Sequence, residues 1–292
     1  MFYTSYKNSI NNHIKYGMII DLKSQDKYLQ DLTNIFNEFL ETLDDRPLQE
    51  YLVKNSRLPS PRGNLELAYC LYDLTLTFKE EKKDDLWKLF SKLSQISAGT
   101  APVNDPKEFL SFCGIFGIGA IANNYHSYLS ESLKILKKAS SDGRWRMREG
   151  TAHVLTKLIK TYQGRVIDRI FPWIKEKNWL LIRAAAAAFA DPKLLKDKKL
   201  ANTAFDLHLE LIDLILKEKD RRSPEFRAAR KGFAYTFSVI VAALPDKGFE
   251  FLESLTLIDD DDIRWILKQN LRKNRLKNRF PEKVEYLLLQ LK

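Results

Sequence analysis

Arg144, Arg146 and Arg148 in "DGRWRMRE" stand at alternate positions where a helical periodicity begins. Cations at a helix start oppose the positive end of the dipole, so this placement implies a gain elsewhere. Guanidinium forks grip phosphate oxygens two at a time, so contact with a polyanion is one such gain; bridges to acids of the preceding helix are the other. A second cationic stretch, "DDDDIRWILKQNLRKNRLKNRF", sets Asp259 to Asp262 ahead of Arg264 and Trp265, then crowds Arg272, Lys273, Arg275, Lys277 and Arg279 together. Acids first and cations last suit a helix dipole, so Asp259 to Asp262 are expected to cap a helix, with Trp265 and Ile266 packed inward. The basic end reads either as a solvated helix terminus or as a patch tracking a nucleic-acid backbone, with strong salt dependence and little base preference. Trp145 and Glu149, four apart, share one helix face.

Other chemistries find little support. His13, His126, His153 and His208 lack metal-ligand spacing and neighbouring cysteine pairs, so no metal and no cofactor is expected. Gly114, Gly117 and Gly119 in "CGIFGIGA" have no following Lys-Ser/Thr and no preceding strand, so they read as a close approach of two helices rather than a phosphate loop. Cys70 and Cys113 lie in apolar stretches and read as buried free thiols. No apolar run of membrane-spanning length and no secretory pattern appears, which points to a cytoplasmic protein without a membrane partner.

Charge is unevenly placed. The chain is formally +10; residues 1–140 balance, with 17 Lys and Arg against 17 Asp and Glu, and residues 141–292 carry 31 against 21. Excess confined to one part of a chain points to a polyanion or an acidic protein surface as partner.

The elements that must position these residues are helices. "YLQDLTNIFNEFLETL" spaces Leu29, Leu32, Ile35, Phe36, Phe39, Leu40 and Leu43 by threes and fours, and "NLELAYCLYDLTLTF" and "KKDDLWKLFSKLSQIS" continue the pattern. Short Pro- and Gly-containing breaks separate them, which makes successive helices antiparallel neighbours. The aromatics Phe2, Tyr3, Tyr6, Tyr16 and Tyr28 are expected to cover the first apolar face. Toward the C-terminus the same helix entry recurs, an aromatic and an arginine near the first turn: Arg148, Arg183, Arg230 and Arg264 are 35, 47 and 34 residues apart. Such steps suit a two-helix repeat of about 34 to 47 residues, and Ala184 to Ala188 would let neighbouring repeats stack closely. The fold expected is all-α, a solenoid of stacked antiparallel helix pairs, with divergent repeats over 1–140 running on into basic repeats over 141–292.

The stretch Asp142 to Leu195, with "WRMRE" and "WLLIRAAAAAFADPKLL", resembles HEAT-type repeats, and "IRWILKQNLRKNRL" resembles a closing repeat of that kind. Among HEAT-repeat proteins the chain is distantly similar to AlkD-like DNA glycosylases over residues 141–285. That resemblance implies a basic concave face holding a DNA duplex, and a tryptophan, an acid one turn later, an arginine of the next repeat and a further aromatic as active residues. The counterparts are Trp145, Glu149, Arg183 and Phe226, with glutamate in place of aspartate and phenylalanine in place of tryptophan. In that reading the indole stacks on a cationic base and the carboxylate stabilises charge developing on the sugar; in the plainer one Trp145 fills a groove between repeats and Glu149 pairs with Arg146, Arg148 or Arg183. Three functions are carried forward. The first is a nucleic-acid binder, DNA duplex favoured, presenting Arg144, Arg146, Arg148, Arg183, Arg227, Arg230, Lys231 and Arg264, with Arg272, Lys273 and Arg275 beyond them. The second is a scaffold for an acidic protein, and the third an alkylbase glycosylase.

Overall fold

The computed structural model describes residues 22–291. Among these residues every regular element is a helix, fifteen of them α, and there is no strand. The chain forms two compact units, the first ending at Ile121 and the second beginning at Ala122. Of the N-terminal aromatics, Phe2, Tyr3, Tyr6 and Tyr16 lie outside the described residues, as does His13; Tyr28 accepts a hydrogen bond from Asn64 Nδ2 at 3.0 Å.

The first unit contains α1 (Leu22–Thr42), α2 (Arg46–Lys54), α3 (Leu65–Thr75), α4 (Lys83–Ser94) and most of α5 (Glu108–Asn124). Leu32, Phe36 and Phe39 of the expected stripe are buried, but Leu43 is 60% exposed. It stands one residue past α1 with φ 59, its N–H returning to Phe39 O, so the helix turns off before the stripe ends. The glycines of "CGIFGIGA" do bring two helices together. A Cβ at Gly114 would sit 2.4 Å from Ser94 N, and one at Gly117 would sit 2.1 Å from the Phe90 ring. Cys70 and Cys113 are buried free thiols.

The second unit continues with α6 (Leu129–Ser140), α7 (Trp145–Tyr162), α8 (Gly164–Ile170), α9 (Trp179–Phe189), α10 (Lys198–Lys217), α11 (Pro224–Ala243), α12 (Pro245–Thr256), α13 (Asp261–Leu271), the single turn α14 (Asn274–Lys277) and α15 (Pro281–Gln290). The helices α7, α9, α11 and α13 form one row, each packed on the next, and α6, α10, α12 and α15 pack against members of it. Small side chains make the row close: Ala184, Ala185, Ala186 and Ala188 of α9 are fully buried. Polar bonds join elements of this unit at separations of 32 to 39 residues. Thr156 Oγ1 donates to Ala188 O at 2.7 Å, Trp179 Nε1 to Glu218 at 2.5 Å, and Asn270 Nδ2 to Phe233 O at 2.9 Å, while Ser238 N donates to Asn270 Oδ1 at 2.7 Å. Buried amides whose donors and acceptors are both met fix the register of neighbouring helices, because a slip would strand them.

Three of the four row helices start on a capping side chain. Asn178 accepts from Leu180 N and Leu181 N, Ser223 from Phe226 N with Pro224 following, and Asp260 from Asp262 N and Ile263 N. The expected acidic cap is thus Asp260. Helix α7 is the exception, with Arg144 at its N-cap and no side-chain cap bond.

Candidate functional site

The functional side chains proposed from the sequence all lie in the second unit, along the row α7, α9, α11 and α13. This unit carries 34 Lys and Arg against 22 Asp and Glu, the first unit 14 against 16. Whether a cation of the row reaches solvent depends on the acids that neighbouring elements bring to it.

At the start of α7, Arg144 and Arg146 are 2% and 3% exposed, so neither presents its guanidinium at the surface. Arg144 is held by Asp142, Nη2 to Oδ2 at 2.8 Å and Nε to Oδ1 at 3.0 Å, and Arg146 lies 4.5 Å over the Trp145 ring. The physical reason is the turn Asp142–Gly143, which folds its carboxylate back onto Arg144 and its carbonyls onto Arg148, and so answers the local cost of these two inside the chain rather than with a ligand. Burial opposes ionisation of Asp142, but the hydrogen bonds from Arg144 outweigh it and hold its pKa below the usual value. Arg148 donates to the carbonyls of Asp142 at 2.5 Å and Gly143 at 3.0 Å. Its pKa is lowered by burial first and then by the nearby Arg183, so two guanidinium groups stand close together here.

Arg183 of α9 meets Glu149 of α7 at 3.0 Å, which is the intramolecular pairing among the alternatives for Glu149. Its stem crosses Gly232 of α11, where a Cβ would lie 3.1 Å from Cγ. Arg148 Nε and Arg183 Nη1 are buried without an acceptor in the protein. Trp145 is 40% exposed and the Glu149 side chain 46%, so both open to solvent beside Arg183. Phe226 does not join them: it is fully buried with its ring edge-on to Trp179 at 4.9 Å. An aromatic at the first turn of α11 faces the packed α9, and cannot serve as the fourth member of a solvent-facing set.

Farther along, Arg230 pairs with Asp262 and lies 4.4 Å over Trp265, which is half-buried against it rather than packed wholly inward. Arg221 also binds Asp262, at 3.3 Å, and Asp260 at 2.5 Å. Arg264 meets Asp259 at 3.2 Å in the open. The closing cations divide. Arg275 lies 4.4 Å over the Tyr235 ring at the middle of α11, and Arg279 donates to Ala242 O at 3.3 Å, at the negative end of that helix. Arg272 and Lys277 are exposed and Lys273 is half-buried.

Arg227 and Lys231 of α11 are exposed as well, and with Arg272 they have no carboxylate at ion-pair distance among the described residues. Tyr235, 42% exposed, continues their line at the next helical step of four. Sequence reasoning passed over Tyr235, Gly232 and Asp142. The four-residue spacing from Arg227 through Lys231 marks the first; nothing local marks Gly232, whose role is set by a side chain 49 positions earlier.

Among the described residues no cluster of His, Cys, Asp and Glu could hold a metal ion, and no helix is long and apolar enough to cross a membrane. No family model and no curated protein matches this chain. Solved structures similar to it include two engineered proteins from the Northeast Structural Genomics Consortium. The first aligns at 14% identity over 87% of this chain with a TM-score of 0.31, and the chain spans 64% of that protein. The second aligns at 12% identity over 82% of this chain and 97% of the other, also with a TM-score of 0.31. Superposition at that score does not establish a shared fold.

Proposed function

We propose that the second unit is a HEAT-like α-solenoid that binds the backbone of a nucleic acid along the row α7, α9, α11 and α13. The solenoid reading is supported by the stacking of each row helix on the next and by bonds between elements of the unit at separations of 32 to 41 residues. The observation that carries the binding reading is the set Arg227, Lys231 and Arg272, exposed and without a carboxylate at ion-pair distance, while Arg183, Arg221 and Arg230 of the same unit are paired. Cations left unneutralised supply the sequence-independent attraction that a phosphate backbone answers.

The test is the salt dependence of binding to a short fluorescent DNA duplex. Wild-type affinity falls steeply with salt, and Arg227→Ala/Lys231→Ala/Arg272→Ala makes the slope of log K against log salt shallower by about 2 to 3. Absence of binding at low salt, to the duplex and to its separated strands alike, removes this reading and leaves a scaffold for an acidic protein. A second reading, base excision, is favoured by one observation, the joint exposure of Trp145 and Glu149 beside Arg183. It requires release of an alkylated base from duplex DNA by the wild type and its loss in Glu149→Gln.

A further inference from the structure

The row pairs aromatic rings with guanidinium groups three times. Arg146 lies 4.5 Å over Trp145, Arg230 4.4 Å over Trp265, and Arg275 4.4 Å over Tyr235. Tyr235 differs from the other two in what flanks it. Arg227, Lys231 and Tyr235 occupy successive four-residue steps of one helix, all exposed, with no carboxylate on the two cations. At 1.5 Å per residue this ridge runs about 12 Å, against a rise of about 3.4 Å per nucleotide in a stacked strand. It is long enough for more than one phosphate and ends on a ring backed by a cation.

Duplex DNA has little use for such a ring. Its paired bases turn their flat faces toward one another and offer phosphates, sugars and base edges outward. An unpaired strand exposes base faces, and aromatic rings in a cationic groove are the means by which such strands are held without sequence preference. A guanidinium already stacked on Tyr235 keeps the ring in place and adds a cation to the stack.

Resting on the nucleic-acid reading above, we infer that the second unit prefers single-stranded nucleic acid, with an unpaired base stacked on Tyr235 and Arg227 and Lys231 holding the adjoining phosphates.

Fluorescence anisotropy with a labelled oligodeoxythymidine, alone and annealed to its complement, tests this. The single strand binds more tightly than the duplex. Tyr235→Ala weakens single-strand binding about tenfold with an unchanged salt slope, Tyr235→Phe retains it, and duplex binding is unaffected by either. Lys231→Ala weakens both ligands and makes both slopes shallower. With an abasic single strand, Tyr235→Ala has no effect. Tighter duplex binding, an equal loss on both ligands in Tyr235→Ala, or no loss on either overturns the inference and leaves backbone binding standing. No binding of either form at low salt overturns both. Because Tyr235 is exposed, unchanged circular dichroism of Tyr235→Ala assigns the loss to the ring rather than to unfolding.

Discussion

The two ends of the row begin with opposite charge. Helix α13 starts with Asp260, Asp261 and Asp262, in agreement with its dipole, and Asp260 caps it. Helix α7 starts with Arg144, Arg146 and Arg148, against its dipole, with no side-chain cap. Both find partners inside the chain, by different routes. The acids of α13 receive Arg230 from α11 and Arg221 from the loop before it, 32 to 41 residues away. At α7, Arg144 is answered locally by Asp142, and Arg148 by the carbonyls of Asp142 and Gly143. Charge at a helix start therefore speaks of a ligand only after both local and distant partners are counted. On that count Arg227 and Lys231 on α11 and Arg272 just after α13 are exposed with no carboxylate at ion-pair distance, whereas Arg144 at the start of α7 is held by Asp142.

The largest expected effect comes from removing the local answer. Asp142→Ala removes the carboxylate that bonds the buried Arg144 through two nitrogens and should cost about 3 kcal/mol, read as a lowered urea midpoint at unchanged m-value. A loss below about 1 kcal/mol would mean that the turn carbonyls alone hold α7. The same pair has a pH signature. Because the folded pKa of Asp142 is depressed, its contribution is present above the unfolded value of 3.8 and is lost as pH falls below it, a loss missing in Asp142→Asn. His208 produces a separate, earlier loss. Buried between α10 and α11, its Nδ1 bonds Ala204 O at 2.7 Å and its Nε2 bonds Thr236 Oγ1 at 2.9 Å. Burial lowers its pKa from 6.5 to about 4, so stability declines as pH falls through that interval, and His208→Gln removes this limb alone.

At the other end, Asp260→Ala takes away the α13 cap and one partner of Arg221, with an expected cost of about 2 kcal/mol by thermal unfolding. If the cost matched that of Asp142→Ala, the contrast between local and distant neutralisation would fail. Trp145→Ala should lower stability by less than about 1 kcal/mol, since the ring is 40% exposed; a larger drop would make it a packing residue. The smallest effect belongs to Arg264→Ala. Its pair with Asp259 stands in water, and the unfolding midpoint should move by no more than about 0.5 kcal/mol equivalent.

Periodicity and caps are local properties, and the sequence by itself determined what depends on them. The helices over Leu22–Thr42, Leu65–Thr75 and Lys83–Ser94 follow from three- and four-residue spacing, the acidic cap before Ile263 from dipole and hydrogen-bond chemistry, and the burial of Cys70 and Cys113 from their apolar neighbours. The glycines at 114 and 117 announced a close approach, although not that Ser94 and Phe90 would meet them. Tertiary structure alone decided the fate of each cation. Arg230 and Lys231 are adjacent, yet one is committed to Asp262 and Trp265 on the next row helix and the other faces solvent, because neighbours on a helix point about 100° apart. Arg183 is bound by a glutamate 34 residues before it, across a glycine 49 residues after it. No local rule relates such positions; only the stacking of helices brings them together.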